Sequence, residues 1–183
     1  MKTGDIILYT KSKRPTRWWL LDMAIDMFTW SDWVHVGIVL VDPLWLGLEG
    51  IYILESAWTG LDDSVDHIKK FGVQVVPLED RMVEGSTYLR QYLGEDFEEE
   101  SLKKVYNFIK DKPYDINPED WIKAFVGYDP NPQRAKSFWC SAMVACFFTK
   151  LGILEVDTDW SIISPKFFGE QSLEKFGKVS KIY

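Results

Sequence analysis

A histidine, a glutamate and a cysteine in this chain, His35, Glu55 and Cys140, have the side chains that acyl transfer requires. A cysteine attacks a carbonyl carbon as its thiolate, an imidazole accepts the thiol proton, and a carboxylate fixes the tautomer of that imidazole. Histidine and cysteine alone also have a structural interpretation, because both often fill protein cores. A glutamate within an apolar strand is the least ordinary of the three, since a buried carboxylate needs partners.

His35 and Glu55 are expected on the two strands of one hairpin, because each lies in a short run rich in β-branched residues. We expect an antiparallel register that pairs Val39 with Ile51 and therefore His35 with Glu55. In that register both side chains lie on the same face of the sheet. The carboxylate would then accept a hydrogen bond from the imidazole.

Cys140 begins a predicted helix, residues 140–151, that has almost no polar face. The sequence Ser137-Phe138-Trp139-Cys140-Ser141 leads into an apolar run, so we expect the cysteine in the first turn of a buried, central helix. The free N–H groups and partial positive charge of a helix N-terminus stabilise a thiolate and can hold an oxyanion. If this helix packs on the hairpin sheet, the thiol and the imidazole meet.

The remaining pattern predicts an α+β domain in which strands and hairpins come first and most helices follow. Helical periodicity marks residues 18–30, 95–112 and 140–151, and strand patterns mark 5–10, 34–41, 51–57, 73–78, 86–93 and 178–183. The stretch 113–132 contains four prolines and is expected to be a loop with a short helix. No repeat or flexible linker interrupts the chain, so we expect residues 1–183 to form one domain.

Composition limits the classes of protein. The 183 residues carry 21 Lys and Arg against 28 Asp and Glu, a net charge of −7, which argues against a nucleic-acid partner. The two cysteines, Cys140 and Cys146, lack zinc-site spacing and cannot bridge on one helix. No signal peptide, transmembrane run or cofactor motif is visible, so we expect a soluble protein of a reducing compartment, such as the cytoplasm, with no cofactor or metal. Nothing in the sequence indicates the oligomeric state.

An ordered set of short motifs resembles the circularly permuted NlpC/P60 papain-like proteins, and within them the YiiX-type branch with its poxvirus relatives. The motifs are Thr3-Gly4-Asp5-Ile6-Ile7-Leu8, Trp33-Val34-His35-Val36-Gly37-Ile38-Val39, Leu54-Glu55-Ser56-Ala57 and Phe138-Trp139-Cys140-Ser141-Ala142-Met143-Val144. In this family the order is histidine, acid, cysteine, the reverse of ordinary papain-like enzymes.

The resemblance implies a papain-like fold, with an antiparallel sheet packed on a central helix that bears the nucleophile. It implies Cys140 as nucleophile, His35 as general base and Glu55 as its orienting partner in a metal-independent thiol hydrolase of amide, peptide or ester bonds. The family often has an acidic residue two positions after the cysteine, where this chain has Ala142. This difference leaves the resemblance of the catalytic trio intact, but the family's mode of substrate recognition does not carry over to this chain.

Two other functions fit the same residues. Lipid acyltransferases and phospholipases of the lecithin–retinol acyltransferase type also place a histidine before a cysteine, although with a second histidine as third member. A non-catalytic binding module could keep the fold and use its groove to hold a partner.

The substrate we expect is a small peptide or an amide or acyl compound in an apolar groove. Aromatic residues of the predicted helix 18–30, together with Trp33, either fill the core or line that groove for an acyl chain. Asp5 is expected to fix a turn, His67 to lie at the surface and Cys146 to be structural.

Overall fold

The computed structural model describes residues 1–11, 31–58, 61–115 and 136–183. Within these ranges six strands form the sheet: β1 Ile6–Thr10, β2 Trp33–Val41, β3 Ile51–Ala57, β4 Gly72–Pro77, β5 Thr87–Tyr92 and β6 Phe176–Lys181. The described residues also contain three α-helices: α1 Glu99–Ile109, α2 Cys140–Lys150 and α3 Pro165–Glu170. Short 3-10 helices lie at Leu44–Leu46, Leu78–Arg81 and Trp160–Ile162. The predicted α+β class is confirmed.

One antiparallel sheet contains all six strands, in the order β4-β3-β2-β1-β5-β6. Asp5, just before β1, is buried and accepts hydrogen bonds from the backbone N–H groups of Lys2 at 2.9 Å and Tyr92 at 2.8 Å. It therefore fixes the predicted turn and ties β1 to β5. Helix α2 packs mainly against β2 and β3.

Helix α2 is the central helix that the apolar run predicts. Every residue from Cys140 to Thr149 is buried, and the helix shares one large core with the inward residues of β1, β2, β3 and β4. The opposite face of the sheet has its own smaller apolar cluster, which includes Tyr9, Val39 and Ile53. Side chains of both faces are thus sequestered, as expected for strands that read as nearly continuous apolar runs.

The hairpin of β2 and β3 forms as predicted, but its predicted register is wrong. Val39 pairs with Ile53 rather than Ile51. The connection sets the shift: Asp42 and Gly50 both have positive φ, and they close the hairpin through Asp42 N–H to Gly50 O and Gly50 N–H to Asp42 Oδ1, each 2.8 Å. The displacement is two residues, so each side chain stays on its predicted face.

Several predicted boundaries also change. Helix α1 is shorter than residues 95–112, and α3 occupies a stretch for which the sequence pattern gave no clear assignment. The predicted helix at 18–30 and most of the predicted loop at 113–132 lie outside the described residues. Within the part of the chain that the structure describes, no helix has the length and apolar character needed to cross a bilayer.

Candidate active site

The site forms where β2 and β3 separate. Their ladder ends at the pair Ile38–Leu54, beyond which β2 remains paired with β1 and β3 with β4. His35 and Glu55 lie just past this point. The predicted direct pairing of these two residues is therefore wrong, yet their side chains meet: His35 Nε2 is 2.6 Å from Glu55 Oε2.

A β-bulge immediately precedes His35 in the chain. In the β1–β2 ladder Tyr9 pairs with His35 and Thr10 with Trp33, which leaves Val34 as an extra residue. Such a bulge bends the strand and re-aims the neighbouring side chains. Together with the end of the β2–β3 ladder, it explains how a ring carried by β2 reaches both Glu55 and the start of α2.

Cys140, at the start of α2, completes the trio. Its thiol lies within side-chain hydrogen-bonding range of the His35 ring. Because Glu55 is ionised and can only accept, Nε2 of His35 must donate to it. That assignment leaves Nδ1 as the ring nitrogen that can exchange a proton with the thiol.

The segment before Cys140 is held by a short bridge and a buried hydroxyl. Phe138 N–H donates to Pro113 O at 3.0 Å, and Phe138 O accepts from Asp115 N–H at 3.2 Å and from Ser56 Oγ at 2.6 Å. After the cysteine, Ser141 Oγ donates to Ile163 O at 2.7 Å. The first turn of α2 is thereby fixed on both sides of Cys140.

A glycine lets this bridge approach β4. Gly72 has φ 152° and forms an antiparallel bridge with Pro113. A Cβ at Gly72 would lie 2.2 Å from Lys112 O, closer than any real contact. The position therefore requires glycine, both for its backbone conformation and for its space.

Glu55 is the most enclosed member of the site, with no exposed surface. Arg81 contacts both carboxylate oxygens, Nε to Oε1 at 2.9 Å and Nη2 to Oε2 at 3.1 Å, and Gln74 Nε2 donates to Oε1 at 2.9 Å. With His35, these groups give each oxygen two contacts. Sequence reasoning missed Gln74 and Arg81; the polar Gln74 within the apolar strand β4 was the available signal.

The charges of the site stabilise one another. Burial raises the pKa of Glu55, but Arg81, His35 and Gln74 outweigh it and bring the pKa to about 2. Burial lowers the pKa of His35, but the Cys140 thiolate and the Glu55 carboxylate outweigh it and raise the pKa to about 9. An ionised Glu55 carboxylate thus lies beside an imidazole whose protonated form is favoured.

Other candidate residues lie outside the trio. His67 is exposed in a turn, and Cys146 is fully buried in α2, where burial raises the pKa of its thiol to about 12. Trp33 is half-buried and packs edge-on against Tyr88, with ring centroids 5.1 Å apart. The rest of the aromatic cluster, residues 18–30, lies outside the described residues, so its role as core or groove stays a prediction.

Among the described residues, no group of three or more His, Cys, Asp or Glu side chains is arranged to hold a metal ion. Comparison with known proteins adds no relative: no family model matches the chain, and no curated protein matches it.

Proposed function

We propose that this protein is a papain-like thiol hydrolase of the permuted NlpC/P60 type, which cleaves an amide or peptide bond through Cys140, His35 and Glu55. The observation that carries the proposal is the single chain of contacts from the thiol through the imidazole to a buried carboxylate. A histidine or a cysteine that only filled the core would not need this order of partners.

The chemistry follows from the roles of the three side chains. Nδ1 of His35 takes the proton of the Cys140 thiol, and the sulfur forms a bond to the substrate carbonyl carbon. The imidazolium then protonates the leaving amine as the carbon–nitrogen bond breaks, which leaves an acyl-enzyme. Water, deprotonated by the same imidazole, releases the acid and regenerates the thiol. Glu55 keeps Nε2 protonated throughout.

The start of α2 supports the charged intermediate of this reaction. The first N–H groups of a helix have no partner within the helix, and Trp139, which precedes Cys140, makes no side-chain cap there. N–H groups in this position can donate to the oxyanion that forms when the thiolate adds to a carbonyl. No metal or cofactor is part of the proposed steps.

Alkylation of Cys140 tests the proposal without knowledge of the substrate. An ordinary thiol is only about 1% ionised at pH 6.5. We expect iodoacetamide to label Cys140 at pH 6.5 at least about tenfold faster than the same cysteine in the urea-unfolded protein. Cys146 is an internal control, because its side chain has no exposed surface whereas Cys140 keeps 3%, so only Cys140 should be labelled in the folded protein.

His35→Ala should remove most of the rate advantage, because the thiolate loses its cationic partner. Labelling of wild-type Cys140 at the rate of an ordinary thiol would contradict the proposal and favour the binding module. The purified protein should then be assayed in parallel on peptide amides and on lipid esters. Turnover of the lipid esters alone would favour the acyltransferase or phospholipase alternative, and Cys140→Ala is the blank in both assays.

A further inference from the structure

Arg81 contacts both oxygens of the Glu55 carboxylate, including Oε2, the oxygen that also contacts His35. It ends the 3-10 helix Leu78–Arg81, which directly follows β4, and its side chain is 17% exposed beside a carboxylate with no exposure. Its Nε and Nη2 address different oxygens of Glu55, at 2.9 and 3.1 Å. Nη2 donates a hydrogen bond to one oxygen and Nε forms an ion pair with the other, so contacts to both oxygens restrain the carboxylate's orientation and compensate its charge.

The groups that face His35 come from three elements. Glu55 lies on β3, Cys140 on α2 and Tyr9 on β1, with the Tyr9 ring centroid 5.4 Å from that of His35. Arg81, from the 3-10 helix after β4, contacts the Glu55 carboxylate. When the thiolate and imidazolium have formed, negative and positive side-chain charges alternate from Cys140 through His35 and Glu55 to Arg81. Their net charge is zero, which a poorly solvated site requires.

We infer that Arg81 is a positioning residue of the proposed hydrolase: it locks the Glu55 carboxylate in place and neutralises its charge, so that Glu55 orients the His35 ring without retaining the proton on it. The inference rests on the proposed function. Without Arg81, an uncompensated buried carboxylate would bind the proton more tightly, either itself or through the imidazole. The His35 imidazolium would then be a weaker proton donor, so the ring would exchange less readily between its protonated and neutral forms.

The test uses the full-length chain with Cys140→Ala, which removes the thiolate from the titration. Nuclear magnetic resonance of the ring carbons and nitrogens follows His35 from pH 5 to pH 11, with His67 as an internal reference. We expect Arg81→Met to raise the apparent midpoint of the coupled His35–Glu55 pair by about one pH unit or more, a tenfold change in proton affinity. Arg81→Lys keeps the charge and should restore most of the midpoint.

Arg90→Met is the matched control. Arg90 is also a buried arginine, but it donates to three backbone carbonyls, those of Gly177, Phe168 and Gln171. Its loss should cost stability without moving the His35 midpoint. An Arg81→Met midpoint equal to that of the Cys140→Ala parent would overturn the inference and leave Arg81 a purely structural residue.

A second comparison covers failure of Arg81→Met to fold. The double variant Glu55→Gln/Arg81→Met removes both buried charges. Its His35 titration midpoint should exceed that of Glu55→Gln alone, because the cation near the ring has been removed. Equal midpoints would again overturn the inference. None of these titrations depends on catalysis. A slow wild-type alkylation of Cys140 would therefore refute the proposed function, whereas an unmoved midpoint refutes the role of Arg81.

Discussion

Replacing Glu55 with glutamine should reduce the loss in the free energy of unfolding that occurs as the pH falls from 7 to 3. The carboxylate is fully buried and receives contacts from His35, Gln74 and Arg81. Glutamine keeps the size of the side chain and one acceptor oxygen, but it cannot carry the charge that Arg81 compensates. Glu55→Gln should therefore be less stable than wild type at pH 7, by several kcal/mol, on the order of the cost of breaking a buried ion pair.

The pH dependence of that difference follows from the pKa of Glu55, which is about 2 in the folded protein and 4.5 without its partners. Since each unit corresponds to 1.36 kcal/mol, ionised Glu55 adds about 3 kcal/mol to the free energy of unfolding. The folded-state pKa is the lower one, so this contribution is complete above pH 4.5 and is lost as the pH falls toward 2. About 2 kcal/mol of it should already be gone at pH 3.

Urea unfolding followed by tryptophan fluorescence measures both proteins at half-unit steps from pH 7 to pH 3. The gap between wild type and Glu55→Gln should narrow by about 2 kcal/mol over that range. Glu100→Gln is the matched control, because Glu100 lies on an exposed helix face, where it pairs with Lys104 at 3.9 Å. A gap that stays constant from pH 7 to pH 3 would show that the ionised carboxylate gains nothing from its partners, and the electrostatic account of the site would be wrong.

Two further substitutions test the positioning of the site. Gly37→Ala would place a Cβ 2.6 Å from Ile53 Cδ1, so we expect it to lower the free energy of unfolding in urea by about 1–3 kcal/mol. The double variant Gly37→Ala/Ile53→Val should recover part of this loss. An unchanged stability would contradict the close packing of β2 on β3. Ser56→Ala removes the hydroxyl that donates to Phe138 O. It should cost about 1 kcal/mol and slow the alkylation of Cys140, whereas an unchanged labelling rate would show that this bond does not position the nucleophile.

The contact between His35 and Glu55 was predictable although the register of the hairpin was not. Side chains alternate with a period of two along a strand, so a register error of two residues keeps every side chain on its face. The error arose in the connection, where Asp42 adopts a φ of 44° and pairs with Gly50. A non-glycine residue in the left-handed region of the backbone map is uncommon, and nothing in the local sequence requires Asp42 to adopt this conformation.

The start of α2 was also predictable, because an apolar run of about a dozen residues is too long for an ordinary strand and indicates a buried helix. What brings it to His35 was not. The bulge at Val34 and the end of the β2–β3 ladder at Ile38–Leu54 are properties of three strands together. Neither leaves a mark in the sequence of one strand, since a bulged residue and a paired one have similar side-chain preferences.

The role of Arg81 was predictable in part: the need for a cation follows from a buried Glu55, but the identity of that cation does not. An ionised glutamate without exposed surface requires a cation, and one imidazole that must also give up its proton is not a permanent one. The burial of Glu55 in the structure therefore requires a second cation nearby, and Gln74, the polar residue of an apolar strand, pairs directly with Glu55 and lies on the strand that leads to it. The 3-10 helix after β4 then turns the chain back, so that the next arginine along it, Arg81, reaches the same carboxylate. A buried charge within a strand thus predicts that a partner must exist before any fold is known, while which arginine or lysine supplies it depends on the turn that follows the neighbouring strand.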